Sequence, residues 1–513
     1  MDNQGTRSRP RGSLTTRMIA GLVALVMAMV AAGCTSAPGE TPSDLHTLKV
    51  GATLEPPSLD PFHNSAASIP QVLLYNVYET LLKVDSEGVL KPLLAQAWEV
   101  TPDQKTYTFH LNAAAKFPSG AAVDGQAVVA NIDRLKKDAT ITDTLRAQVG
   151  LVASAEAPEP SKVVITLARP SVMWLYEMAS TLGMIVDPAF TGDLATQTAG
   201  SGPYALKQQN KGTSVVLAKN SSYWGTPGRF DEVTFRYFTD PNAMNAAMLS
   251  GDLDIISNLQ APDALSQFAD TERFTTVEGT TNGEVVLGLN HDNPALAKLE
   301  VRKALTMAID RKALINTIWN GHGTLIGSMV APTDPWYEDL SGTYPYNPAQ
   351  AKTLLQQAGY EPGKLKLRLR VPVVPYATKA AQFVASQLRE VGVETTIEKL
   401  DFSRWLSEVF TDGNYDLTIV AHVEARDLGR FANPAYYWHY DNPQFQQLYS
   451  QADAAGEQGS VPLMKQAARL LATDAAAIWL FLLPNLVITK STITGVAPNA
   501  TSLSFDLTTI AGR

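Results

Sequence analysis

Residues 364–371 read KLKLRLRV, and residues 382–400 read QFVASQLREVGVETTIEKL. In the first stretch Leu365, Leu367, Leu369 and Val371 fall on one side, and Lys364, Lys366, Arg368 and Arg370 on the other. That period of two predicts a strand with one wet face, in a mixed or edge position. In the second stretch an amphipathic helix over Gln382–Val391 is stopped by Gly392, and a strand follows over Val393–Leu400. Helix–glycine–strand succession of this kind favours an α/β architecture.

The same reading extends outward. Tyr107, Phe109 and Leu111 alternate with Thr106, Thr108 and His110, which predicts a further half-buried strand. Leu417–Ala421 is a short, nearly continuous apolar run, as expected of a buried parallel strand. Val301, Ala304, Leu305, Ala308 and Ile309 recur at helical spacing. Leu314, Ile315, Ile318 and Trp319 continue the stripe to Gly321. Asn347-Pro348 is a cap followed by a first-turn proline, leading into Ala351, Leu354, Leu355 and Ala358 before Gly359. No fixed-period repeat interrupts this alternation.

The chain has 513 residues, 45% of them apolar, with 41 Lys+Arg against 50 Asp+Glu and one cysteine. Such a length implies two to four lobes at roughly 150 residues each. The formal charge of −9 argues against a nucleic-acid partner. One cysteine excludes an intramolecular disulfide, CxxC redox motifs and multi-cysteine zinc sites.

That cysteine follows Arg7, Arg9, Arg11 and Arg17 and an apolar run from Met18 to Ala32. A basic segment, an apolar core and small residues before a cut make residues 1–33 a signal peptide. Fifteen apolar residues fall short of the ~20 that span a bilayer. Ala31-Ala32-Gly33-Cys34 resembles a bacterial lipobox, with Ala31 where leucine is usual, so Cys34 is the expected lipidation site. An ordinary signal peptide with an incidental cysteine is the alternative. Removing residues 1–33, with four arginines against one aspartate, takes the formal charge from −9 to −12. Residues 34–47, rich in Ser, Thr, Pro and Gly, read as a flexible tether. No later segment is apolar enough to cross a membrane.

Enzyme motifs fail. There is no HExxH, no GxxxxGK[ST] and no GxSxG. Gly321-His322-Gly323 with Gly327 follows a helix rather than a strand and is spaced one residue too long for a dinucleotide loop. The seven histidines (46, 63, 110, 291, 322, 422 and 439) show no metal-type spacing. No enzymatic activity, cofactor or metal is expected.

Several ordered stretches resemble the family 5 extracellular solute-binding proteins, the oligopeptide, dipeptide and nickel receptors of ABC importers. Glu55-Pro56-Pro57-Ser58-Leu59-Asp60-Pro61 looks like the family's opening turn, and Tyr78-Glu79-Thr80-Leu81 like the helix after it. The most specific block runs from Leu94-Ala95-Gln96-Ala97-Trp98-Glu99-Val100 through Tyr107-Thr108-Phe109-His110-Leu111 to Lys116-Phe117 and Ser119-Gly120. Gly200-Ser201-Gly202-Pro203-Tyr204, Asn220 with Tyr223-Trp224-Gly225, Gly251-Asp252-Leu253-Asp254, Ala308-Ile309-Asp310-Arg311 and Tyr415-Asp416-Leu417 follow in family order.

The resemblance spans about residues 47–490 and implies a fold: an α/β, two-lobed hinged periplasmic-binding-protein-like clamp with an extra subdomain in lobe one. The implied boundaries are 48–289 for lobe one with an insertion at about 63–200, 290–486 for lobe two, and 487–513 for the return. The crossings are expected at Leu289-Asn290 and near Pro484–Ile488, with Pro484 marking a change of chain direction. The implied function is a lipid-anchored monomer on the extracytoplasmic face of the membrane. It captures a solute, most of all a peptide-like one, and hands it to the permease and ATPase subunits of an ABC transporter. The alternative is an exported lipoprotein on the same clamp with a sensory or envelope role and no transport.

Peptide receptors of this family hold the peptide ammonium with an aspartate after the "YDL" strand. Here the family's tryptophan position falls on His422 and its aspartate near Ala425, flanked by Glu424 and Asp427. Glu424, Arg426, Asp427 and Arg430 suit either a zwitterionic ligand or an internally paired loop. Glu55 and the aromatic block Tyr436-Tyr437-Trp438 complete the expected ligand-binding set, the block serving either a ligand or lobe packing.

Overall fold

The computed structural model describes residues 46–513. The expected signal peptide, Cys34 and the expected tether as far as residue 45 lie outside the described residues. Ten strands form one sheet in the order Val393–Leu400, Leu365–Pro372, Leu417–His422, Phe274–Leu289, Ile478–Lys490, Ile255–Ile256, Thr47–Ala52, Glu232–Tyr237, Ser214–Lys219, Tyr204–Asn210. A second, antiparallel sheet of four strands runs Ala95–Val100, Thr106–Leu111, Lys162–Leu167, Val152–Glu159. Among the described residues no helix is long and apolar enough to cross a membrane.

The opening stretches form a parallel unit. Leu365–Pro372 and Val393–Leu400 pair in parallel, as they must when a helix, Pro375–Glu390, carries the chain back. Gly392 makes the turn at φ 85°, where a side chain is strained. The Leu365–Pro372 strand also pairs with Leu417–His422 on its other side, so it is an interior strand rather than an edge one. Its cationic face is wet only at Lys366 and Arg368, since Arg370 is buried. Leu417–His422 is buried as expected, but only one neighbour is parallel. Its other neighbour, Phe274–Leu289, runs antiparallel.

The helical stripe at Val301–Trp319 divides in two, Leu299–Met307 and Arg311–Trp319, because Asp310 caps the second segment by accepting from the Ala313 amide. Asn347 caps Pro348–Gln357 in the expected way, accepting from the Gln350 amide.

Two long strands lie at the centre of the large sheet. Phe274–Leu289 and Ile478–Lys490 pair antiparallel along their length, with a register shift between Thr280 and Glu284. The Thr281 hydroxyl donates to the Leu483 carbonyl at 2.7 Å and accepts from the Gly283 amide at 2.8 Å, so the irregular residues keep their hydrogen bonds. The chain does not turn at Pro484. The strand continues through it, with Pro484 opposite Thr280. A proline there donates no ladder bond, and its place beside a register break is where that loss is tolerated.

Three apolar clusters fill the interior. The first gathers the small sheet and the Thr47–Ala52 side of the large one, the second the helices and strands around Leu287 and Leu369, and the third the aromatics around Trp405, Tyr437 and Trp438. In the first, Tyr107 packs on Trp174 with ring centroids 4.9 Å apart, and its hydroxyl donates to the Ser171 carbonyl at 2.7 Å. That contact pins the segment Arg169–Ser180 where it borders the cavity described next.

Candidate ligand-binding cavity

A cavity of about 1200 Å³ opens where stretches from distant parts of the chain converge: residues 54–68, 141–151, 169–180, 402–411, 424–437 and 446–453. Glu55, Glu424, Arg426, Asp427, Arg430, Tyr436 and Tyr437 line it, whereas His422 and Trp438 stand behind the wall. The cavity therefore gathers seven of the nine residues that the sequence singles out for ligand contact.

The wall is built from the end of the Leu417–His422 strand. His422 is wedged against Tyr437 and Trp438, with ring centroids 6.0 and 4.8 Å away, and its Nε2 lies 2.9 Å from the Tyr437 hydroxyl. Burial drives its pKa down to about 4, so the imidazole is neutral at pH 7. Trp438 stacks on Phe431 at 4.1 Å, and its Nε1 has no acceptor among the described residues. Tyr436, by contrast, reaches the cavity and meets Phe410 edge-on at 5.6 Å.

Arg426 adopts the left-handed conformation, φ 60°, and so throws the chain from the strand end into the 3-10 turn Asp427–Ala432. Its guanidinium is committed within the fold. It lies 3.6 Å over the Tyr176 ring and 4.9 Å from that of Trp336, and its Nε is 3.7 Å from Asp334 Oδ1. Burial pushes Asp334 up to about 6, with Arg426 pulling the other way.

The neighbouring charges are not committed. Asp427 is buried at 7% exposure, yet neither carboxylate oxygen has a hydrogen-bond partner among the described residues. Burial, and then the charge of Glu424, hold its pKa well above the usual carboxylate range. Glu284, opposite His422 in the strand pairing, is buried with Oε2 unpartnered, and burial and Asp427 raise its pKa likewise. Among the described residues the Glu424 carboxylate accepts only from the Val423 amide, at 3.3 Å. Arg430 makes no ion pair within 4.0 Å among the described residues. Burial opposes its charge, but Tyr436, Glu424 and Asp427 outweigh that and raise its pKa. Glu55, in the 54–68 stretch, is occupied: both its oxygens accept from the Gly212 amide at 2.9 Å.

Sequence reasoning did not single out Glu177, Asp334, Glu284 or the pair Arg169–Asp453. Glu177 lines the cavity with Oε2 unpartnered, and burial carries its pKa up to about 7. Asp453 accepts from Arg169 Nη1 at 2.7 Å, from the Ser171 hydroxyl at 2.8 Å and from the Met173 amide at 3.2 Å. It thus ties the helix Pro443–Ala454 to the Arg169–Ser180 segment across the cavity. These residues come from separate stretches, and no local spacing signals them.

A charged cavity lined by stretches drawn from distant parts of the chain is the setting of a protein that binds a small polar solute. Residues 89–444 match the family described as "Bacterial extracellular solute-binding proteins, family 5 Middle", and the chain belongs to that family. It is 28% identical over 361 residues to the "Glutathione-binding protein GsiB" of Salmonella typhimurium, covering 69% of each chain. With the protein of that name from Escherichia coli O1:K1 it shares 28% over 399 residues, 76% of this chain and 75% of the relative. In structure it is similar to the periplasmic binding protein DppA of Helicobacter pylori in complex with the peptide STSA. That match has a TM-score of 0.82 at 20% identity, over 91% of this chain and 98% of the other. It is also similar to AgaA of Agrobacterium tumefaciens R10 in complex with agropinic acid, with a TM-score of 0.82 at 25% identity over 91% and 99%.

Proposed function

We propose that this protein is a lipid-anchored receptor that captures a small peptide-like zwitterion and delivers it to the permease of an ABC importer. The observation that carries the reading is the cavity wall at Glu424–Arg430. Among the described residues Asp427 has no hydrogen-bond partner and Arg430 no ion pair, and both face space that a solute can fill. Stranding two opposite charges at a wall costs stability unless a ligand supplies their partners. A solute with an ammonium and a carboxylate does so, and glutathione, bound by the GsiB relatives, has both groups. A cavity of about 1200 Å³ is roomy for a solute of a few residues.

Closure is proposed at the register shift in the paired strands Phe274–Leu289 and Ile478–Lys490, where few residues need to move. Cys34 carries the proposed anchor, because two or more acyl chains hold a protein stably at a membrane. A Cys34→Ala protein is expected to leave the membrane fraction. The permease and ATPase are the proposed partners by family membership.

Calorimetric titration of the purified mature protein with glutathione, dipeptides and tripeptides tests the reading, together with X-ray scattering with and without solute. Binding by at least one zwitterion, weakened about thirtyfold by Asp427→Asn, with a smaller radius of gyration, is the expected result. No binding across the panel, or binding without closure, favours the sensory or envelope role.

A further inference from the structure

One ring nitrogen of His422, one oxygen of Glu424 and one of Asp427 all lie within 4.8 Å of one another. We propose that these three side chains bind a divalent transition-metal cation in the cavity wall, leaving a coordination position open to the solute. The two readings share Asp427: a metal held there takes the place of the solute's ammonium and leaves Arg430 to its carboxylate, and the titrations below tell the two apart.

The donor set fits. One imidazole and two carboxylates are ligands of zinc-like ions, and three protein ligands leave an open position. His422 supplies the imidazole. Its ring is oriented from outside by the Tyr437 hydroxyl at Nε2, the support that metal-binding histidines require. The second, independent sign is Asp427, more than nine-tenths buried, lining the cavity, with both oxygens lacking any donor. A buried carboxylate with no donor needs a cation or a proton.

Glu284, opposite His422 in the strand pairing, brings a third buried carboxyl beside Glu424 and Asp427, and its Oε2 too has no partner among the described residues. Arg430 makes no ion pair within 4.0 Å among the described residues, so it does not occupy the three donors. Bonds of about 2.1 Å around a tetrahedral ion set donors roughly 3.4 Å apart. The three side chains therefore close by an ångström or so on binding, within the reach of small rotations of Glu424, which is only half-buried.

The test uses the mature chain, stripped of metal with a chelator and then dialysed, and titrated with zinc chloride calorimetrically and with cobalt chloride in the visible range. One ion per chain, and cobalt d–d bands of a low-coordinate site, are the expected results. Glu424→Gln and Asp427→Asn each weaken zinc binding at least tenfold while circular dichroism stays unchanged. His422→Gln removes the nitrogen signature from the cobalt spectrum. No stoichiometric binding, or binding that Glu424→Gln and Asp427→Asn leave intact, overturns the proposal. A zwitterion that binds the metal-free chain as tightly as the metal-loaded one leaves the receptor function standing and removes the metal's open position from it. Zinc bound by a chain that takes no zwitterion does the reverse.

Discussion

The two ends of the Leu417–His422 strand treat buried charge in opposite ways. At its start Arg370 is buried and saturated. It bonds Glu398 at 2.8 Å, Glu408, and the Asn414 carbonyl at 2.7 Å. Glu408 is held below the usual carboxylate range by Arg370 first and Arg404 second. At its far end Asp427 is equally buried and holds nothing. Burial alone therefore does not separate a structural charge from a binding one. What separates them is whether the fold supplies the partner or leaves it to a ligand.

The largest expected effect breaks the saturated end. Arg370→Met leaves Glu398 and Glu408 to find water and removes three hydrogen bonds, and should lower the unfolding free energy by about 3 kcal/mol. Solute affinity should stay within about twofold, since no cavity residue is touched. Urea unfolding and calorimetry read the two quantities. A stability loss under about 1 kcal/mol would mean that the saturated cluster is as dispensable as a surface pair.

The opposite sign is expected at the other end. Asp427→Asn removes a carboxyl whose ionisation folding opposes and should stabilise the solute-free protein by about 1–2 kcal/mol at pH 7. The folded pKa of Asp427 is raised above its unfolded value, so folding favours the protonated form. The wild type's stability then declines as pH climbs from the unfolded pKa through the folded one, and the gain from the substitution appears over that rise. At pH 3 the two proteins should melt together. A destabilised Asp427→Asn protein would show that Asp427 has a structural partner after all.

Glu177 sharpens the contrast with a defined pH window. Its pKa rises to about 7, through burial first and against the pull of Arg430. Its folded carboxyl keeps its proton up to near pH 7, while the unfolded one ionises near 4.3. Glu177→Gln should therefore match the wild type at pH 4, gain on it between pH 4 and 7, and hold an advantage of about 1–2 kcal/mol above pH 7. Melting temperatures across that range read it. A constant difference at every pH would locate the effect in packing rather than in the proton.

Much of this was legible beforehand, and the limits have physical causes. Alternation identified Thr106–Leu111 and Leu365–Pro372, and caps identified Pro348–Gln357, because those signals act between residues a few positions apart. The neighbours of Leu417–His422 and the split at Asp310 were not legible. Strand partners are chosen by tertiary packing, and an aspartate mid-stripe reads as one more polar position until its side chain is seen to cap. At the cavity, residues 424–437 were found as one contiguous charged and aromatic stretch. Their pairing was not, since Arg426 finds Asp334 and Tyr176, which stand 92 and 250 positions earlier in the chain. Spacing carries no information about partners that distant.

The smallest expected effect returns to KLKLRLRV. Lys366, Arg368 and Arg370 alternate on one face of one strand and look equivalent in sequence, yet their exposure falls from 72% to 44% to 5% along it. Lys366 pairs with Glu394 at 2.9 Å, a distance as good as Arg370 to Glu398. Both partners of the first pair stay in water, which screens the attraction and leaves two long side chains to be ordered for little return. Lys366→Ala should thus change stability by no more than about 0.5 kcal/mol, and raised salt should erase even that. Arg370→Met in the same salt should keep most of its cost, because its guanidinium is shielded from the ions. Equal salt sensitivity of the two variants would mean that the graded burial along this strand does not govern its charges, and the distinction between the saturated and the open end of the neighbouring strand would lose its basis.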